Sequence, residues 1–287
     1  MNYDPNSNLV MMECTGEKAL FNNRLVSCQE VEKKSTSRGL TVYEIFRVIE
    51  GVPVFLEDHM QRLYHSLELE GLSIRESREE MKRRIDRLIA ANSILSGKIK
   101  LVIDFSMPQS GAAYDLMLYV TPFNPPTDRQ YHDGVWVILC SAIREDPNAK
   151  VMHTEARRRA DERIEQTGAY EALLVDHDGY ITEGSRSNVF FVKGPSLVTP
   201  PDDNVLQGIA RKNILSICWE QGIDVEIRKV HPNELSGFAA VFLTGTTPKV
   251  LPVRKIDQIT FSASHSLVRQ LLEAYNKRLS EYIRAKG

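Results

Sequence analysis

Apolar positions along the chain change period several times, and each change marks an element. Residues 1–16 are polar and predict a loose arm. Residues 19–26 and 40–49 are rich in β-formers and predict two strands, with Ser35 to Gly39 between them. Glu50-Gly51 predicts a turn, and 53–56 a short strand. The spacing then becomes helical. Met60, Leu63 and Leu67 form one stripe, with Glu57-Asp58 as the expected cap. Met81, Ile85, Leu88 and Ile89 form a second stripe. Residues 98–105 and 116–120 return to strand composition, so the first region reads as mixed α+β.

Pro122-Phe-Asn-Pro-Pro-Thr127 interrupts the pattern with three prolines and predicts a stiff link. Beyond it, 135–143 is an apolar run of strand length and 154–165 a charged helix. Two further strands, 171–175 and 188–192, flank the turn cluster Asp176-His-Asp-Gly179. A strand running to Thr199 follows Gly194-Pro195. A helix over 209–221 carries Ile214, Ile217 and Cys218 on one face and ends at Gly222. Strands at 224–228 and 239–244 follow, then an amphipathic helix over 262–284 with Leu267, Leu271, Leu272, Tyr275 and Leu279. The expected organisation is a small α+β domain over 1–121, a linker over 122–129 and a larger domain over 130–287. No internal repeat interrupts this order.

Composition narrows the function classes. The chain has 287 residues, 26% of them charged, and a formal net charge of −2. Both signs are spread along it, and Arg157-Arg158-Arg159 is too short a run to suggest a nucleic-acid partner. No apolar run is long enough to span a bilayer, and Met1 to Pro5 lacks the look of a signal peptide. Four widely spaced cysteines, Cys14, Cys28, Cys140 and Cys218, predict free thiols in a reducing cytoplasm.

Between the strands 171–175 and 188–192 lies Thr182-Glu-Gly-Ser-Arg-Ser-Asn188, a polar set that a plain hairpin does not require. It has company at a distance. Lys150 follows the turn-like Asp146-Pro-Asn148, Leu206-Gln-Gly-Ile-Ala-Arg211 opens a helix, and Leu243-Thr-Gly-Thr-Thr-Pro248 closes a strand. Together these supply an amine, a carboxylate and two backbone anion sites, one of them a helix N-terminus with unpaired N–H groups. His153 and His177 have no metal-ligand spacing, and neither GxSxG nor HExxH occurs.

In these motifs, taken in order, the chain resembles the fold type IV pyridoxal-phosphate enzymes, which include branched-chain and D-amino-acid aminotransferases and aminodeoxychorismate lyase. The resemblance runs from about 143 to 253 and returns over 43–67. It implies a two-domain α+β fold with pyridoxal 5'-phosphate held between the domains, and a homodimer. Lys150 resembles the lysine that joins the cofactor aldehyde, with Arg144 before it and Tyr170-Glu171 about twenty residues after it. Glu183, in a Thr-Glu-Gly-x-x-Ser-Asn motif that includes Ser187 and Asn188, resembles the partner of the ring nitrogen. Gly208, Ile209 and Ala210 resemble the main phosphate cradle, with Thr246 and Thr247 beside it. Arg62, in a His-x-x-Arg-Leu setting with His59, resembles a phosphate-binding arginine. Tyr43 resembles the aromatic residue of the substrate pocket.

The activity implied is amino-group transfer between an amino acid, branched-chain among the candidates, and a 2-oxo acid. Aminodeoxychorismate lyase, releasing pyruvate and 4-aminobenzoate, is the alternative, and a catalytically idle cofactor-binding protein is a third reading. The substrate side departs from the subgroups. Residues 102–107 lack the Thr-Arg-Gly of D-amino-acid enzymes, and Val151-Met-His-Thr154 lacks the tyrosine that follows the lysine in branched-chain enzymes. Ser37 to Thr41 replaces the usual glycine-rich turn.

Overall fold

Asn22-Asn23 splits the first predicted strand in two. The computed structural model describes residues 14–34, 39–105, 113–144, 146–152 and 154–287, and in it residues 18–27 form a hairpin of β1 (Lys18–Phe21) and β2 (Arg24–Ser27). Asn22 turns it with φ 54°, a left-handed conformation that asparagine tolerates. A short helix α1 (Cys28–Lys34) follows, which the hydrophobic pattern did not announce. The polar arm over 1–13 and most of the 35–39 connection lie outside the described residues.

The hairpin brings Cys14, just before β1, against Cys28, just after β2. The two are joined as a disulfide with a Cα–Cα distance of 5.5 Å, which corrects the expectation of four free thiols. Their sequence separation gave no sign of this, because the pairing depends on the turn at Asn22. Cys140 and Cys218 are free and buried.

Next come β3 (Leu40–Ile49) and β4 (Val52–Pro53), then the helices α2 (Leu56–Leu69) and α3 (Arg78–Ala91), then β5 (Ser96–Phe105) and β6 (Tyr114–Val120). The expected strand over 53–56 stops at Pro53. Phe55 instead caps α2 in a left-handed conformation without a side-chain bond, and Glu57 and Asp58 fall in the first turn, where negative charge suits the helix dipole. The strands pair antiparallel in the order β2-β1-β6-β5-β3-β4. Strand alternation sorts β3 into two faces. Val42, Phe46 and Val48 are buried with Leu63, Leu67, Met81 and Ile85 of the two helices. Tyr43, Ile45 and Arg47, half-buried, take the other face. There a second apolar cluster gathers Ala19, Val31, Val102, Met117 and Tyr119, with Tyr43 and Met152 against it.

The later elements are α4 (Asp128–Asp133), β7 (Val135–Ser141), α5 (Glu155–Thr167), β8 (Glu171–Val175), β9 (Ile181–Gly184), β10 (Asn188–Lys193) and β11 (Ser196–Thr199). They continue with α6 (Ile209–Gln221), β12 (Val225–Ile227), β13 (Ala240–Gly245), β14 (Lys249–Ile256), β15 (Ile259–Thr260) and α7 (Ser266–Lys286). Their strands run in the order β12-β11-β10-β13-β14-β7-β8-β9, with β15 on β14. The parallel pairs β7–β8 and β11–β12 are each joined through a helix, α5 and α6, as parallel neighbours require. Ala156 and Ala160 of α5 pack on Ile138, Ala172 and Leu174, and these small side chains let the helix lie close to the sheet. Phe191, Val198, Val241, Leu251 and Val253 are among the residues of a separate apolar cluster in the same unit.

The chain divides into two compact units. One runs through Phe123 and includes Ala149–Met152 and Tyr282–Gly287; the other holds Asn124–Asn148 and His153–Glu281. Among the described residues no helix is long and apolar enough to cross a membrane.

Candidate active site

In the first unit the site residues collect on β3, on α2 and on the short segment that returns at Ala149–Met152. That segment lies antiparallel to the start of β3, with Val151 bridged to Val42. The Tyr43 N–H donates to the Lys150 carbonyl at 3.1 Å and the Met152 N–H to the Thr41 carbonyl at 2.9 Å. The Lys150 N–H donates to Ser66 Oγ on α2 at 3.1 Å. The lysine backbone is thus fixed from a strand and a helix at once. Because Val151 faces the helices, its neighbour Lys150 shares the face of Tyr43, and Lys150 Nζ lies 4.7 Å from the centre of the Tyr43 ring.

Glu44, the residue after Tyr43, points the opposite way and is fully buried. Arg62 donates to it twice, from Nε at 2.7 Å and from Nη2 at 2.9 Å. His59 Nδ1 lies 2.7 Å from Glu44 Oε2, the same oxygen that accepts from Arg62 Nη2. His59 and Arg62 stand three apart on α2 and so reach the same carboxylate. Burial alone would raise the Glu44 pKa. The Arg62 charge and hydrogen bonds, with the His59 bond, outweigh burial and hold it well below the usual carboxylate range. Burial lowers the His59 pKa, against the pull of Glu44 and with the help of the Arg62 and Lys150 charges.

In the second unit Glu183 sits at the end of β9, nearly inaccessible to solvent. The Leu206 N–H donates to its Oε2 at 3.1 Å and Asn188 Nδ2 at 3.3 Å, while Arg144 Nε lies 3.4 Å from Oε1. Asn188 Nδ2 also donates to the Leu206 carbonyl at 2.8 Å, tying β10 to the approach of α6. Gly208 caps α6. A Cβ there would stand 2.0 Å from Asn188 Oδ1, so only glycine permits this approach. Asn188 pairs with Thr244 across β10 and β13, and the half-buried Thr246 and Thr247 turn the chain two residues further on.

Sequence reasoning used Glu171 only as a marker of spacing, yet it organises the loop after β9. Ser185 Oγ donates to its Oε1 at 2.6 Å and Ser187 Oγ to its Oε2 at 3.3 Å. The Gly184 N–H donates to the Ser187 carbonyl at 2.8 Å, and a Cβ on Gly184 would meet Ser187 Oγ at 2.2 Å. The hydroxyls expected to face a ligand thus also hold a tight turn. Glu44 was missed too; its signal is a charged residue on the buried side of a strongly alternating strand.

The donor set fits a phosphorylated pyridine aldehyde. No side chain caps α6 at Gly208 and no acidic residue lies in its first turn, which leaves an N-terminus suited to an anion. Glu183 is a carboxylate with one oxygen already oriented, and Lys150 is an amine fixed by its backbone.

The amino-transferase class IV family model matches residues 41–256, and the chain belongs to that family. It is a family dependent on pyridoxal 5'-phosphate. The chain is 30% identical to a D-alanine aminotransferase of Bacillus licheniformis over 258 residues, 86% of this chain and 90% of that one. It is 25% identical to an aminodeoxychorismate lyase of Bacillus subtilis over 87% of its own length and 89% of the other. The fold matches that of the Escherichia coli branched-chain amino acid aminotransferase with a TM-score of 0.84, covering 92% of this chain and 95% of that one at 24% identity.

Proposed function

We propose that the protein is an aminotransferase that moves an amino group between an amino acid, branched-chain donors included, and a 2-oxo acid. The observation that carries this reading is Lys150: its amine lies against the Tyr43 ring and its backbone is held by Tyr43 and Ser66. When bound, pyridoxal 5'-phosphate supplies an aldehyde for the amine and a ring that accepts electrons from the substrate α-carbon. Lys150 Nζ would hold the cofactor through its aldehyde and would serve as the base that accepts the substrate α-proton and gives it back. Glu183 would partner the ring nitrogen, and Asn188 and Leu206 keep its carboxylate in one orientation. The N–H groups at Gly208, Ile209 and Ala210, with Thr246 and Thr247, would hold the phosphate, and Arg62 would add a positive charge for it. Ser187 keeps the loop turn through Glu171, and Tyr43 lines the substrate pocket.

The Bacillus subtilis relative supports a second reading, aminodeoxychorismate lyase. One experiment separates the two. The cofactor-loaded protein is mixed with single L- and D-amino acids and its absorbance followed. A transaminase loses the cofactor band with amino donor alone and regains it on addition of a 2-oxo acid. No change with any amino acid, together with release of pyruvate and 4-aminobenzoate from aminodeoxychorismate, identifies the lyase. Amino-acid metabolism in the cytoplasm and a homodimeric assembly complete the proposal; sedimentation and cell fractionation test them. A reducing compartment would open the Cys14–Cys28 bond, so thiol titration of freshly lysed cells is an added check.

A further inference from the structure

Helix α2 begins without a cap of its own. Phe55, the residue before it, stands in a left-handed conformation with φ 51°, and its side chain makes no capping bond. A bulky residue in that region is uncommon and depends on its surroundings to stay there. The first N–H groups of a helix have no partner within it, so the N–H of the buried Leu56 must find one elsewhere. It donates to Tyr282 Oη at 3.2 Å, from a residue 226 positions further along the chain.

Tyr282 belongs to the stretch Tyr282–Gly287, which lies in the first unit together with α2. Its ring packs against that of Phe55, with centroids 4.9 Å apart and planes tilted by 59°. Its hydroxyl donates onward to Glu57 Oε2 at 2.6 Å, and Lys286 Nζ donates to Glu57 Oε1 at 2.6 Å. Burial, with the Glu57 bond next, pushes the Tyr282 pKa up, so the hydroxyl keeps the proton that it donates. The Tyr282 oxygen thus takes the acceptor role that a capping side chain at Phe55 would have played. The two rings hold it in place, and Glu57 orients it.

Site residues stand on the turn that this oxygen holds. The His59 N–H donates to the Phe55 carbonyl at 3.1 Å, and the His59 ring reaches Glu44. Arg62 shares that carboxylate from the next turn. In a helix the carbonyls of residues 55–58 accept from the N–H groups of 59–62, so opening the first turn loosens His59 and Arg62 together. We infer that the Tyr282 hydroxyl is the N-cap of α2 and, through that turn, a positioning residue for His59 and Arg62. Its consequence for the cofactor rests on the proposed place of Arg62 beside the phosphate; the capping does not.

The test uses the full chain and the variant Tyr282→Phe, which keeps the ring and removes the hydroxyl. Lys286→Met is the comparison, because it removes only an ion pair between exposed side chains. Amide hydrogen exchange of the cofactor-loaded protein is followed at Leu56 and His59, with Ile85 and Leu88 of α3 as reference. Equilibrium dialysis then compares pyridoxal 5'-phosphate with pyridoxal, which lacks the phosphate. Tyr282→Phe is expected to speed exchange at Leu56 and His59 by about fivefold, the usual effect of a lost cap, with α3 unchanged. It is expected to weaken pyridoxal 5'-phosphate measurably and to leave pyridoxal as in the wild type, while Lys286→Met changes neither. Unchanged exchange at Leu56 and His59, or the same change in Lys286→Met, overturns the inference and leaves the proposed function standing. Faster exchange with both ligands unaffected, or with both weakened equally, overturns the positioning role. A wild-type protein that binds pyridoxal as tightly as pyridoxal 5'-phosphate instead contradicts the phosphate site of the proposed function.

Discussion

Gly208 illustrates how a single atom decides the site. Its φ of −67° is ordinary, so the constraint is space: the position of a Cβ is already occupied by the Asn188 amide oxygen. Asn188 cannot step aside without loosening its bonds to Leu206 and Glu183. Gly208→Ala is expected to cost about 1–3 kcal/mol of stability, the range for forcing an atom into a packed site. It should also weaken pyridoxal 5'-phosphate binding by displacing the α6 terminus. Gly237, which has nothing within 4 Å of an added Cβ, serves as the control. Urea unfolding and equilibrium dialysis read the two effects, and equal behaviour of Gly208→Ala and Gly237→Ala would remove the argument. At this scale amines, carboxylates and helix-opening glycines could be singled out as candidates by type, but their surroundings could not. Glu44 and Glu171 were not singled out. A buried carboxylate is recognised by its partners, and those partners, Arg62 and His59 or Ser185 and Ser187, come from other elements.

Between elements, β3 and α2 are joined by the Glu44–His59–Arg62 group, and this joint makes stability depend on pH. His59 has a folded pKa below its ordinary value of 6.5. As pH falls through that value the unfolded chain takes up a proton that the folded protein does not, so stability declines by about 1.4 kcal/mol per pH unit per proton. Glu44 adds a second decline below its ordinary value of 4.5, because its folded pKa is also depressed. Both contributions are complete near neutrality and are lost on acidification. Melting temperature against pH for the wild type and for His59→Gln measures the first step. The difference between the two curves should shrink from pH 7 to pH 5; a constant difference would contradict the assignment. Elements with strong periodicity were legible: α6 begins at Ile209 and stops at Gly222, as the pattern predicted. The failures have local causes. Two asparagines turned one strand into a hairpin, a left-handed Phe55 started α2 without the usual cap, and the Cys14–Cys28 pairing followed from that hairpin.

For the whole molecule, the mixed α+β class and the family were legible because the motifs keep their order over most of the chain. The return of Ala149–Met152 to the first unit was not, since four residues carry no period. That return gives Lys150 its setting: the strand partner Tyr43, the helix partner Ser66 and the cluster that includes Met152. Lys150, among all the lysines of the chain, is the one expected to carry the cofactor. Reduction of the cofactor-loaded protein with borohydride, followed by trypsin digestion and mass spectrometry, tests it directly. The added mass is expected on Lys150, within a peptide covering residues 145–157 that trypsin no longer cuts after Lys150. The same mass on any other lysine, with residues 145–150 released unmodified, would contradict it.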